Sequence, residues 1–321
     1  MDFITAYLFG ISNGTDFVNN VEYRNHWLKE FEAFKILLPH QRADGEVERS
    51  CLRLCEATES FLTQSQEGLD PNLVTEPIVY ARLSRGLARD ANEKPSSRRI
   101  PLATASEMLD HMIAGHETSA ITLTYLMHEL CQRPELQARL RDELLTLQPP
   151  ISFPSSTENP EGLPSARSID ALPLLDSIIY ETLRLYAAGP ARQPRITPHV
   201  PGGTTIEGYA NIPGGVVVSS NAYTLHRNAD VFPQPDQWIP ERWLDERPGK
   251  KDEMRRWFWA FSSGVRMCIG SNFAVQELKL LTAAIYTNYV TEIVDDEGIE
   301  QTDEYVARPA GEQLILRFRH V

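Results

Sequence analysis

One decapeptide constrains this chain more than any other stretch. Residues 261–270 read FSSGVRMCIG, a pattern F-x-x-G-x-R-x-C-x-G with five fixed positions in ten. Gly264 and Gly270 permit backbone conformations and close approaches that a Cβ would block. Cys268 lies between them, at the head of a helical pattern that carries Ala274, Leu278, Leu281 and Ile285 on one face. A cysteine ahead of a helix faces unpaired N–H groups and the positive dipole end, which lowers a thiol pKa and favours the thiolate.

A thiolate on such a turn suits a haem iron as axial ligand, where it pushes electron density onto the metal and favours O–O cleavage. In that setting Arg266 offers a guanidinium fork to a haem propionate. Phe261 would pack beside the sulfur and keep water away. A lone cysteine is more often a small buried hydrophobe, but five positions agreeing with one mechanism argue against that here. Zinc would need three further ligands nearby. Cys51 and Cys55 share a helix face without a second ligand pair, and with Cys131 they read as core cysteines.

The chain has 321 residues, 42% of them hydrophobic, enough for a sizeable core and against global disorder. A net charge of −13 argues against a nucleic-acid partner. Four cysteines do not make a disulfide framework at this length, and a reducing compartment fits. The first ten residues lack a basic leader, and no stretch approaches ~18 continuous apolar residues, so neither a signal peptide nor a membrane span is expected and the chain reads as cytosolic.

Periodicity predicts helices over 20–38 (Trp27, Phe31, Phe34, Leu38), 46–63 (Val47, Cys51, Leu54, Thr58, Phe61, Leu62) and 75–89, then a loop over 92–101. A long helix follows over 106–130, with Leu109, Met112, Ile113, Ala120, Leu123, Leu126, Met127 and Leu130 at helical spacing. Next come a helix over 134–147, a loop over 149–168, a helix over 172–187, and strand pieces at 204–209 and 215–220. Residues 231–260, with four prolines, read as irregular. The end of the chain reads as strand pieces at 305–308 and 313–319. The expected class is mainly α with small β-sheets, in one continuous unit without internal repeats.

The cysteine loop resembles the haem-ligand signature of the cytochrome P450 superfamily at every fixed position, and three further segments agree with that resemblance. Ala114-Gly115-His116-Glu117-Thr118 is similar to the family's oxygen-activation segment A-G-x-[DE]-T. The small pair leaves room for dioxygen, and Glu117 and Thr118 form an acid–alcohol pair implied to deliver protons. His116 fills the variable position, where packing is a better reading than a second iron ligand. Glu181 and Arg184, three apart on one helix face, resemble the family's E-x-x-R, and Pro240-Glu241-Arg242-Trp243 its P-E-R-[FW] segment. The resemblance implies a buried Glu–Arg–Arg cluster that fixes the irregular stretch, though each pair alone could be a solvated surface contact. After that helix, Arg195, or second Arg192, is implied to reach a propionate. His226-Arg227 matches a recurring family position and is assigned a structural role. Arg247, Lys250, Lys251, Arg255 and Arg256, interrupted by Asp252 and Glu253, form either a solvated mixed loop or a docking patch for an acidic reductase domain.

The resemblance, closest to fungal members, implies a single domain over 1–321 corresponding to the C-terminal two-thirds of the cytochrome P450 fold. The upstream β-rich region, a W-x-x-x-R propionate contact and the membrane anchor of endoplasmic-reticulum relatives have no counterpart here. It further implies haem b with an axial thiolate from Cys268, a NADPH-dependent reductase, dioxygen and a small apolar organic substrate, as in secondary-metabolite oxidation. Two other readings stand beside the monooxygenase. One is a haem-thiolate enzyme that rearranges, dehydrates or couples without inserting oxygen. The other is a non-catalytic truncated remnant.

Overall fold

The computed structural model describes residues 1–37, 45–64, 77–90, 99–152 and 162–321. Two compact units, Met1–Glu117 and Thr118–Val321, share one continuous helix. The class is mainly α with three small antiparallel sheets, each of two strands.

The first unit contains α1 (Asp2–Phe9), α2 (Val21–Leu37), α3 (Glu46–Gln64), α4 (Ile78–Asp90) and the N-terminal part of α5 (Arg99–Cys131). Its core is aromatic. Trp27 and Phe31, one turn apart on α2, stack with centroids 5.1 Å apart, and Phe17 closes on Trp27 at 5.6 Å. Leu8 and Phe9 of α1, Val47 and Cys51 of α3, Tyr80 of α4 and Met108 and Met112 of α5 are buried in the same unit. The Asp2 carboxylate accepts from the N–H groups of Phe17 and Val18 and from the Thr15 hydroxyl, which ties α1 to the turn that leads into α2. Cys51 and Cys55 are free thiols, and hydrogen bonding between them with burial pushes the Cys55 pKa far up, as expected of inert core cysteines.

In the second unit, α5 is followed by α6 (Pro134–Leu144), α7 (Ala166–Asp170) and α8 (Pro173–Leu185). Then come β1 (Arg192–Ile196), β2 (Thr204–Ile206), β3 (Tyr209–Ile212), β4 (Val217–Asn221) and α9 (Ala222–His226). A 3-10 turn (Pro240–Leu244), α10 (Lys250–Trp257), α11 (Ser271–Asn288), β5 (Tyr289–Asp295) and β6 (Ile315–His320) complete it. β1 pairs with β4, setting Arg195 opposite Val218, while β2 pairs with β3 and β5 with β6. The core joins Leu126 and Leu130 of α5, Leu136, Leu140 and Leu144 of α6, Leu175, Ile178 and Ile179 of α8, and Leu278 and Tyr286 of α11. Pro134 and Pro173 open α6 and α8 at the position where a missing N–H costs nothing. α8 lacks a side-chain cap of its own. The Glu143 carboxylate of α6 supplies one, accepting from the N–H groups of Leu174 and Leu175 at 2.8 Å each.

Several boundaries differ from the sequence expectation. α5 starts at Arg99 instead of 106, because Pro101 sits in the first helical turn, where proline is tolerated. α6 ends at Leu144 rather than 147, ahead of Pro149-Pro150, since residues before proline avoid the helical region. The loop expected over 149–168 ends early, because α7 begins at Ala166, with its N-cap Ser165 accepting from the Ser168 N–H at 3.1 Å. Residues 305–308 form no strand. The chain reverses there, with the Ala307 N–H donating to Ala188 O at 2.9 Å. Leu38, residues 75–76, 92–98 and 153–161 of the expected elements lie outside the described residues.

The largest departure is α10, inside the stretch expected to be irregular. Gly249 at φ 78° turns the chain into it, Asp252 and Glu253 occupy its first turn, and Arg255 and Arg256 its last, matching the helix dipole at both ends. Proline count hid an eight-residue segment that contains no proline after Pro248. Met254 anchors the helix in a cluster with Val231, Phe232 and Trp243. Met254→Ala should cost about 2–5 kcal/mol in chemical denaturation, with hydrogen exchange across 250–257 rising first.

Candidate functional site

The second unit is organised around one carboxylate. Glu181 of α8 is fully buried and accepts five hydrogen bonds: two from Arg184 (2.8 and 2.9 Å), one from Arg242 Nε (2.9 Å), one from the Ile239 N–H (2.8 Å) and one from Trp243 Nε1 (2.9 Å). The i, i+3 spacing on α8 lets Arg184 grip Glu181 side by side through two nitrogens. The rest of its guanidinium donates to backbone carbonyls of His226 at the end of α9 (2.9 Å) and of Pro235 (2.7 Å) and Gln237 (2.9 Å) in the proline-rich stretch. Arg242 donates to Pro233 O at 2.8 Å. The sequence motifs thus meet in one buried cluster. Of the indole donors, Trp243 appears in the sequence only as the end of its motif, without a donor role, and Trp238, bonded to Thr182 Oγ1 at 3.1 Å, not at all. The tryptophan of the P-E-R-W run was the available signal.

His226, the last residue of α9, is completely buried. Its Nδ1 lies 2.7 Å from Arg184 O, and its Nε2 lies 2.7 Å from the Trp259 N–H. A backbone N–H can only donate, so Nε2 accepts and the proton resides on Nδ1. Burial, aided by the nearby Arg184 and Arg227 cations, holds the imidazole pKa down at about 3.

The cysteine loop follows directly. Trp259 O accepts from the Ser262 N–H at 3.0 Å, and Ser262 takes the left-handed conformation at φ 61°. Phe261 O then accepts from the Cys268 N–H at 2.8 Å, closing the loop around Gly264, itself at φ 72°. The Phe261 ring packs on Phe258 at 6.4 Å, so what this residue gives the loop directly is its carbonyl. Helix α11 begins three residues after the cysteine. The Cys268 thiol is exposed, flanked by exposed Val265, Met267 and Ile269. A Cβ on Gly270 would stand 3.9 Å from the sulfur, an ordinary contact, which places this glycine beside the thiol. Arg195 is exposed on β1 and reaches the loop, its guanidinium 3.5 Å from Ser262 Oγ. Arg192, three residues earlier on the strand, is exposed without such a contact among the described residues. Arg266 is exposed two residues before the cysteine.

On α5, Glu117 ends the first unit and Thr118 opens the second. A Cβ on Gly115 would meet Ile4 Cδ1 at 2.7 Å, so that glycine admits the α1 side chain against the α5 backbone. His116 lies edge-on to Trp27 and Phe31 with centroids 5.5 and 5.3 Å away, a packed aromatic position. The Thr118 carbonyl accepts from Thr122 Oγ1 at 3.0 Å.

A sequence model of the family described as Cytochrome P450 matches residues 1–316. The chain belongs to the cytochrome P450 family. Among curated P450 relatives, monooxygenase orf2 of Aspergillus niger is 34% identical over 213 residues, covering 64% of this chain and 39% of that protein. Monooxygenase tazI of Aspergillus terreus is 39% identical over 212 residues, covering 64% of this chain and 40% of that protein. Monooxygenase avaI of Aspergillus versicolor is 30% identical over 290 residues, covering 86% of this chain and 64% of that protein. The chain thus spans 39% and 40% of the first two relatives' length and 64% of the third. The crystal structure of a cytochrome P450, CYP102L1, shares the fold with a TM-score of 0.61 at 21% identity, over 85% of this chain and 55% of that one.

Membership in the P450 family implies a haem-thiolate cofactor, and the cysteine loop has features that suit one. Among the described residues no group of three or more His, Cys, Asp or Glu is placed to hold a metal ion. The exposed Cys268, within a rim of exposed Val265, Met267 and Ile269, suits a metal that brings its other ligands in a flat, apolar macrocycle. Also among the described residues, no helix is long and apolar enough to cross a membrane.

Glu181→Gln should destabilise the protein by about 3–5 kcal/mol in urea titrations, because two desolvated guanidiniums would face a neutral amide. His226 makes folding sensitive to acid. The unfolded chain binds a proton near the ordinary value of 6.5, while the native imidazole resists protonation down to about 3. Its contribution is therefore complete above 6.5 and is lost as pH falls toward 3, at up to ~1.4 kcal/mol per pH unit. Urea midpoints of His226→Gln should fall less steeply than wild type in that window.

Proposed function

We propose that this chain forms the haem-binding part of a monooxygenase. It would insert one atom of dioxygen into a small apolar organic substrate, using electrons from a NADPH-dependent reductase, within secondary-metabolite chemistry. The observation that carries this reading is the exposed Cys268 thiol, held on a loop whose backbone is tied to the buried Glu181–Arg184–Arg242 cluster. The fungal relatives, each described as a cytochrome P450 monooxygenase, support the reaction class.

Cys268 would supply the axial thiolate, and haem b, when bound, would supply the activation of dioxygen. The residues around it have separable tasks. Gly264 would supply the left-handed turn at φ 72°, Gly270 would lie beside the sulfur, and Phe261 fixes the Cys268 amide through its carbonyl. Arg195 and Arg266 would pair with propionates, since both guanidiniums are exposed at the loop or next to it. Glu117 and Thr118, adjacent on α5, would hold and pass protons through the carboxyl and hydroxyl groups. Ala114 would keep its part of that helix small, whereas the space beside Gly115 is taken by Ile4. We also read residues 1–321 as one catalytic domain, with 106–130, 172–187 and 261–270 as its functional segments.

Of the five cations before the cysteine loop, Arg247 pairs with Asp245, and Lys250 with Glu253 and Val231 O. Arg255 and Arg256 stay exposed on the last turn of α10, with no carboxylate partner among the described residues. That supports a docking role for this pair toward an acidic reductase surface.

Expression with haem supply, followed by the reduced carbon-monoxide difference spectrum, tests the central reading. A Soret band diagnostic of thiolate ligation is expected, and Cys268→Ala should abolish it. A spectrum typical of a neutral axial ligand would overturn the assignment. Arg255→Glu with Arg256→Glu should slow electron transfer from the reductase by on the order of tenfold or more at low salt while leaving haem content unchanged. Product analysis under labelled dioxygen should show one labelled atom in product.

A further inference from the structure

We infer that His226 is a positioning residue for the Cys268 loop, joining the Glu181–Arg184 pair to the backbone that presents the thiol. The geometry of this role stands on the hydrogen bonds alone. Its consequence for metal ligation rests on the function proposed above.

The imidazole bridges two backbone groups that would otherwise lose their partners on burial. On one side, Nδ1–H donates to Arg184 O at 2.7 Å, a carbonyl in the last turn of α8 and so without a partner within that helix. Arg184 returns the contact, donating from Nη1 to His226 O at 2.9 Å. On the other side, Nε2 accepts from the Trp259 N–H at 2.7 Å, just past the end of α10. The ring is held flat against Phe258, with centroids 5.4 Å apart and planes 17° apart, and edge-on to Phe232 at 6.4 Å. It therefore has little freedom to carry its two nitrogens elsewhere.

The Trp259 contact acts on the cysteine through a short stretch of chain. Trp259 O receives the Ser262 N–H at 3.0 Å, which sets the tight turn with Ser262 at φ 61°. That turn aims Phe261 O at the Cys268 N–H, 2.8 Å away. From the buried ion pair to the cysteine amide, each link is a named hydrogen bond or a single turn.

The task needs a donor at the near position of a side chain and an acceptor at the far one, both neutral and dry. Neutral histidine meets all of these conditions. The asparagine amide stands near the Nδ1 position and glutamine reaches that of Nε2, so each replaces one half of the bridge.

Amide hydrogen exchange on the full chain without haem, resolved at Trp259 and Cys268, tests the inference. In wild type both amides should be protected. In His226→Asn both should exchange on the order of tenfold faster, with the α8 amides unchanged. In His226→Gln, which restores the acceptor, protection of both should return. With haem supplied, the fraction showing the thiolate Soret band should fall in His226→Asn and recover in His226→Gln.

Cys268 exchange that is equal in wild type and His226→Asn would overturn the proposal, as would equal disturbance by both variants. If neither variant folds, the wild-type ring decides. Nitrogen-15 shifts with Nδ1 protonated and Nε2 bare support the bridge, and the opposite tautomer overturns it. Should the exchange pattern hold while no form of the chain ligates haem through thiolate, the proposed function fails and the positioning of the loop by His226 stands.

Discussion

A carboxylate without water must find its hydrogen-bond donors within the protein, and Glu181 draws in five from four residues. Those donors come from α8 itself and from a stretch more than fifty residues downstream that has little regular structure of its own. Satisfying Glu181 therefore also folds that stretch. Arg184 and Arg242, once neutralised, spend remaining N–H groups on its carbonyls at Pro233, Pro235 and Gln237. Such clusters add little net stability compared with apolar packing. What they contribute is a unique arrangement, because any other leaves a buried charge unpaired.

Function in this family depends on how one thiol is presented, and a loop alone presents nothing reliably. The loop carries two residues at positive φ, Ser262 and Gly264, and an exposed apolar rim. It holds its form because both ends are attached to rigid elements, α11 on one side and His226 on the other. The same logic separates α10 from its surroundings. That helix is placed by Met254 in an aromatic cluster, and its outward face is left to charge.

Much of this was legible in the residues. The leucine ladders of α6 and α8, the aromatic stripe of α2 and the helix after Cys268 follow from spacing, since a helix must bury one face. The motif residues Glu181, Arg184 and Arg242 carried their own chemistry and came together in one cluster. Other features were hidden for identifiable reasons. Pro101 looked like a helix breaker, but a proline in the first turn costs no hydrogen bond. The prolines around α10 masked a helix whose caps and charges were in plain view. Residues 305–308 carried strand-like side chains, yet the path back to β6 requires a reversal, with Gly298 and Gly311 in close backbone approach.

The sequence by itself determined the family, and it named Cys268 and the charged residues around it as candidates. Those are properties of residue type and spacing, and they are local. Only the tertiary structure decided that Arg195 and not Arg192 touches the cysteine loop, because strand register and pairing set which arginine reaches it. Only the tertiary structure gave Gly115 to the Ile4 side chain and joined Trp243 to Glu181. His226 became a bridge the same way. One imidazole spans two backbone groups 75 residues apart, Arg184 and Trp259, and no local pattern records a partner that distant.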